Sequence, residues 1–168
     1  VFDFCGVETI SNDEKAAPFD KVVFDYRNRH GENWNTPVKY QGSCGSCYAF
    51  ASVSALEGVI NLNFKQHIDK DLSEQDTLSC TGGCRGALPS DALRFFRNAG
   101  VTYESLIPYK ANTGVCNGSS TLVPYKWKIS GYQQAGESVD RELSIRKELV
   151  SKGPLAMAGP FTRWDHAI

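Results

Sequence analysis

A turn-forming run, Gly42-Ser43-Cys44-Gly45-Ser46, leads straight into a stretch of helical periodicity that begins at Cys47. Ala49, Val53, Leu56 and Ile60 recur every three or four residues, which predicts a helix with one buried face. Cys47 therefore stands at a helix N-terminus. The first N–H groups of a helix have no intrahelical partner, and the dipole there favours negative charge. A thiol so placed ionises more readily, and the thiolate is the nucleophilic form. The competing reading of such a cysteine is a small apolar residue or one half of a disulfide.

Six cysteines occur in 168 residues: Cys5, Cys44, Cys47, Cys80, Cys84 and Cys116. That is too sparse for a scaffold built on disulfides. The close pairs Cys44/Cys47 and Cys80/Cys84 suit a structural zinc site. They suit equally a disulfide framework with one free thiol, and the spacing alone leaves both open. Apolar residues make up 41% and charged residues 22%, which excludes a disordered or low-complexity chain. Eighteen basic residues face nineteen acidic ones, so binding of nucleic acid or a membrane surface through bulk charge is not expected. No apolar run approaches the length of a membrane span. The length suits one domain or two small lobes. Val1-Phe2-Asp3-Phe4-Cys5 lacks the pattern of a signal peptide, and the missing initiator Met points to a processed or partial chain.

A nucleophilic thiol needs a base, and the chain has three histidines. His30 lies in the polar turn Arg29-His30-Gly31-Glu32, and His67 lies among Lys65, Gln66, Asp69 and Lys70; both read as solvated surface residues. His166 follows Trp164-Asp165 and precedes Ala167-Ile168, and is the best base candidate, although an imidazole in such company also suits a core position.

Gln41-Gly42-Ser43-Cys44-Gly45-Ser46-Cys47-Tyr48 resembles the active-site segment of the papain-like cysteine proteases. Further segments resemble that family in order. They are Leu72-Ser73-Glu74-Gln75, Gly83-Cys84-Arg85-Gly86-Ala87-Leu88-Pro89, Gly100 to Tyr109, Gly153 to Ala158, and Asp165-His166-Ala167. Phe24 to Arg27 and Thr36 to Lys39 resemble its N-terminal strand region, so the likeness spans about residues 20–168.

The resemblance implies an α+β fold of two lobes, one helical and one an antiparallel barrel-like sheet, with the second lobe incomplete here. The helical lobe would take about residues 32–131, with helices near 47–64, 73–79 and 89–99. The β lobe would take about 20–31 and 132–168, including a helix over Val139–Lys152 and a strand over Leu155–Ala158. Residues 1–19 would be an N-terminal extension or a propeptide remnant. The implied activity is that of an endopeptidase working through a thioester acyl-enzyme. Cys47 would be the nucleophile and His166 the base. Gln41 would donate to the oxyanion beside the Cys47 N–H, against the plainer reading of a loop glutamine. Disulfides would join Cys44 to Cys84 and Cys80 to Cys116. Cys5 is left over, as a free thiol, a link to a partner chain or part of a retained propeptide.

Gly86 and Ala87 would meet an extended peptide along its backbone. Leu88, Pro89, Ala158 and Ala167 would line the pocket for the second residue before the scissile bond, with a preference there for an apolar side chain, and Asp165 would also bind substrate; Leu88 and Pro89 also suit a core. No cofactor and no metal are implied. The implied partners are a peptide or protein substrate, an inhibitory propeptide or cystatin-like inhibitor, and a second chain supplying the missing C-terminal strands. Disulfides point to an oxidising compartment, secreted or lysosomal/vacuolar. Asn117-Gly118-Ser119 is a glycosylation sequon.

Several features depart from the family pattern. Tyr48 stands where Trp is usual, and Ala87 where a second Gly is usual. The distance from Cys47 to His166 is shorter than the roughly 130–150 residues of the family signature. The chain stops two residues after His166, before the asparagine that would orient the imidazole. Closed-up gaps, a cut chain or an inactive fragment each account for this. The alternative function is a catalytically inactive relative acting as a binding or structural subunit.

Overall fold

A computed structural model of the chain describes residues 24–116, 126–135 and 139–159. Its longest element is α1 (Cys47–Phe64), over the span its periodicity predicts. Ala49, Val53, Leu56 and Ile60 are all buried. The helix ends at Lys65, whose φ of +51° is left-handed, and the Lys65 and Gln66 N–H groups close back onto the Leu62 and Asn61 carbonyls.

The next two helices carry the stop and start signals read from sequence. In α2 (Glu74–Cys80) the Ser73 hydroxyl accepts from the Asp76 N–H at 2.9 Å, the cap expected of a serine before an acidic first turn. α3 (Pro89–Asn98) opens on proline, and the Asp91 carboxylate accepts from the Leu88 N–H at 3.1 Å. Short 3-10 turns occupy Tyr26–Asn28 and Gly83–Arg85. The last helix, α4 (Arg141–Lys152), starts two residues later than its apolar pattern predicts. Asp140 caps it, accepting from the Leu143 N–H, and Val139 is left fully exposed outside.

The first three helices pack on one another around Val53, Leu56, Ile60, Leu72, Leu78, Phe96 and Val101. Burying each such side chain is worth about 1.5–3 kcal/mol. Isolated antiparallel bridges join Leu72 to Tyr103 and Val101 to Trp127, so the chain after α3 folds back onto the helical core.

The described residues are mostly helical, and an antiparallel barrel-like lobe is not among them. Leu155–Ala158, predicted as a strand, carries no ladder pairing. A strand is held by its neighbours, and none lies beside this segment among the described residues. α4 is nonetheless tied to the rest. The Tyr26 hydroxyl donates to the Leu149 carbonyl at 2.7 Å. Pro154 lies so close to Gly58 of α1 that a Cβ there would come within 2.9 Å of its ring.

Candidate active site

Cys47 is the first residue of α1, exposed, and the one free cysteine among the described residues. The turn before it is locked from several sides. Cys44 is joined to Cys84 and Cys80 to Cys116, with Cα–Cα distances of 4.8 and 4.5 Å. These bonds occupy four sulfurs, which closes the structural-zinc alternative for them. The Gly45 N–H donates to the Cys84 carbonyl at 3.2 Å. A side chain at Gly45 would put its Cβ 2.6 Å from that same oxygen, so only glycine permits the approach.

The Cys44 carbonyl gathers donors. The Ser46 N–H reaches it at 2.8 Å and the half-buried Gln41 side-chain amide at 3.0 Å. Ser46 is fully buried, and its own carbonyl starts the α1 ladder, accepting from the Ala49 and Phe50 N–H groups. Cys47 is thus held between a rigid helix and a turn whose carbonyl also fixes Gln41.

Tyr48 fills the position where the resemblance leads to Trp, and it uses its hydroxyl. That oxygen lies 2.8 Å from the Thr81 hydroxyl and accepts from the Gly82 N–H at 3.1 Å. It thereby ties the second residue of α1 to the loop that leads into Gly83–Gly86. Gly86 has φ +90° and is exposed, Ala87 is half-buried, and Leu88 is 59% exposed. Pro89 is buried at the start of α3, and Ala158 is exposed. The structure therefore brings Gln41, Cys47 and the Gly86–Leu88 segment to one end of α1. Asp165, His166 and Ala167 lie outside the described residues, as do Cys5 and the sequon at Asn117.

Further along the helix, at its middle, is a charge network with two buried acids. Glu57 of α1 accepts from the Leu72 N–H at 2.7 Å and from the Thr36 hydroxyl. Lys39, two residues before Gln41, lies 2.8 Å from Glu74, 2.7 Å from Asp71 and 3.6 Å from Glu57. Burial opposes the charge of Lys39, but its hydrogen bonds to Asp71 and Glu74 win and raise its pKa. One ammonium cannot satisfy three acids. Burial pushes Glu74 up to about 7 and raises Glu57, against the pull of Lys39.

The motif reading named neither Glu57 nor Tyr109 as an individual site residue. A lone acid between Leu56 and Gly58 on the apolar helix is the signal that could have found Glu57. For Tyr109, the position just after Pro108 is a weak signal, because its partners are distant in sequence.

A family model described as papain family cysteine protease matches residues 21–167. Caricain of Carica papaya is 32% identical over 151 residues, covering 79% of this chain and 42% of caricain. The crystal structure of the Carica candamarcensis cysteine protease CMS1MS2 in complex with E-64 is 33% identical, with a TM-score of 0.60 over 68% of this chain and 53% of that one. Digestive procathepsin L2 of Tenebrio molitor larval midgut is 30% identical, with a TM-score of 0.63 over 77% of this chain and 40% of its own. The chain spans about half the length, or less, of the curated relatives it matches. It belongs to the papain family of cysteine proteases.

Proposed function

We propose that the protein is a cysteine-type endopeptidase. The observation that carries this reading is the exposed free thiol of Cys47 at the start of α1, beside an amide already oriented by the Cys44 carbonyl. An amide NH₂ has two hydrogens. One is engaged by Cys44, which leaves the other for a developing oxyanion, together with the Cys47 N–H.

In the proposed reaction the Cys47 thiolate attacks the scissile carbonyl and its π electrons move to oxygen. Collapse of that oxyanion expels the amine, which takes a proton from His166, and leaves a thioester. His166 then removes a proton from water as the water attacks the thioester, and collapse releases the acid and the Cys47 thiolate beside protonated His166.

The exposed Leu88 and Ala158 favour an apolar side chain at the second residue before the scissile bond. An inhibitory propeptide is the proposed regulator, as solved relatives include a proform of a ragweed pollen cysteine protease and two digestive procathepsins. Two disulfides favour a secreted or lysosomal/vacuolar setting.

A thiol-directed epoxide tests the reading. The folded protein should be labelled at Cys47 alone, and unfolding should abolish the selectivity. If Cys47 reacts no faster than Cys5, the thiol is an ordinary one and the protein falls to the inactive-relative reading.

A further inference from the structure

The Tyr109 hydroxyl lies between the two arms of the site. It donates to the backbone carbonyl of Gln41 at 2.7 Å. It also lies 2.6 Å from the Ser46 hydroxyl. A phenol has one proton, and Gln41 takes it, so Ser46 is the donor in the second bond. The Tyr109 ring stands edge-on to Phe50, one turn into α1, with centroids 4.9 Å apart. The tyrosine is itself pinned, because its N–H donates to the Glu104 carboxylate at 2.6 Å and the next N–H, of Lys110, donates to Gln75. A residue far along the chain thus touches the residue before the nucleophile, the residue three after it, and the backbone of the oxyanion donor.

Ser46 has a second acceptor within range, the Cys44 carbonyl at 3.4 Å. That oxygen is the one that orients the Gln41 amide. As long as the phenol accepts from Ser46, the serine proton is kept off this carbonyl and the amide holds it. Without the phenol, Ser46 turns to Cys44 and competes with Gln41, while the Gln41 backbone carbonyl loses its donor. We propose that Tyr109 is a positioning residue that sets the Gln41 amide for the oxyanion through Ser46 and the Gln41 backbone. This rests on the endopeptidase reading above and adds a residue to it.

The consequence is selective. An oxyanion forms only when a carbonyl is attacked, so misplacing its donor slows turnover and leaves ground-state binding alone. Alkylation of the thiol by an epoxide forms no carbonyl oxyanion and does not use that donor.

The experiment compares full-length wild type with Tyr109→Phe, which keeps the ring on Phe50. It measures kcat and KM on a peptide substrate, the rate of epoxide inactivation, and Tm. The expected result is a fall in kcat of about tenfold or more with KM little changed, since displacing a positioned group is costly in rate. Epoxide inactivation should keep its wild-type rate. Ser46→Ala, which removes the competing hydroxyl and leaves the Tyr109 bond to Gln41, should lose less kcat than Tyr109→Phe, and added to Tyr109→Phe it should restore part of the lost turnover. Unchanged kcat in Tyr109→Phe overturns the inference. So does a parallel loss of turnover, epoxide reactivity and Tm, which would mark general damage. If Tyr109→Phe does not fold, Ser46→Ala decides, and a fall in kcat of about tenfold there at unchanged Tm overturns the inference, because the serine hydroxyl would then itself hold the site. A wild type with neither turnover nor selective labelling removes the endopeptidase reading itself; wild-type turnover with an indifferent Tyr109→Phe removes this inference only.

Discussion

The first turn of α1 and its middle are both buried on one side, yet they are held by different kinds of group. Around Ser46 and Phe50 the contacts are neutral: a phenol, a hydroxyl, an amide and backbone carbonyls. Further along, at Glu57, a single ammonium faces three carboxylates, two of them almost fully buried. Neutral hydrogen bonds do not change between acid and neutral pH, whereas buried acids do. The groups that touch this end are neutral, with Glu104 one step behind them at the Tyr109 N–H, and the middle holds the denser set of buried acids.

The harshest way to break the comparison is to remove the ammonium. Lys39→Met leaves Glu57 and Glu74 buried without their cation. Removing one member of a buried ion pair typically costs about 3–5 kcal/mol. Unfolding in denaturant at neutral pH should show that loss, and it should shrink in acid as the carboxyls take up protons. Epoxide labelling of Cys47, at a temperature where the variant is folded, should proceed at the wild-type rate. Slower labelling in proportion to lost stability would mean that the two ends of α1 are one unit.

The disulfides sharpen the contrast, since one touches the reactive end and the other does not. Replacing either pair by serines should cost about 2–4 kcal/mol, as each closes a loop of similar length, with separations of 40 and 36 residues. The functional outcomes should differ. Loss of Cys44–Cys84 frees the turn that orients Gln41, and turnover should drop beyond what stability explains. Loss of Cys80–Cys116 should leave turnover per folded molecule unchanged. Equal effects on turnover would show that the bridge at Cys44 acts on stability alone.

Much of the helical architecture was legible in the sequence because its signals are local. The 3.6-residue period of α1, the Ser73 cap and the proline opening α3 each act within a few residues. Asp140 shows the limit of that reading: a good cap at the second residue of an apolar pattern overrode the pattern and left Val139 out. The strand over Leu155–Ala158 was read from resemblance, and a strand depends on partners that no local signal supplies. Cys47 and Gln41 stood out through their own run of residues. Tyr109 could not, because what makes it matter is contact with Gln41 and Ser46, more than sixty residues away.

The finest test of the comparison is Glu74→Gln, and its sign follows from burial. The ordinary glutamate value is 4.5, and burial raises Glu74 in the folded protein to about 7 despite the opposing bond from Lys39. A carboxyl whose folded pKa is raised takes up its proton more readily in the fold than in the unfolded chain. Its contribution is fully present below about 4.5 and is lost as pH rises to about 7. Wild type should therefore lose on the order of 1–3 kcal/mol relative to Glu74→Gln across that window. Glu57, Asp76 and Glu104 are raised by burial as well and push the same way, so the diagnostic quantity is the difference between the two proteins. Thermal melts of both, taken from about pH 4 to pH 8, give that difference directly. A flat difference would place the pH response outside the middle of α1, and a difference of opposite sign would mean that Lys39 outweighs burial there.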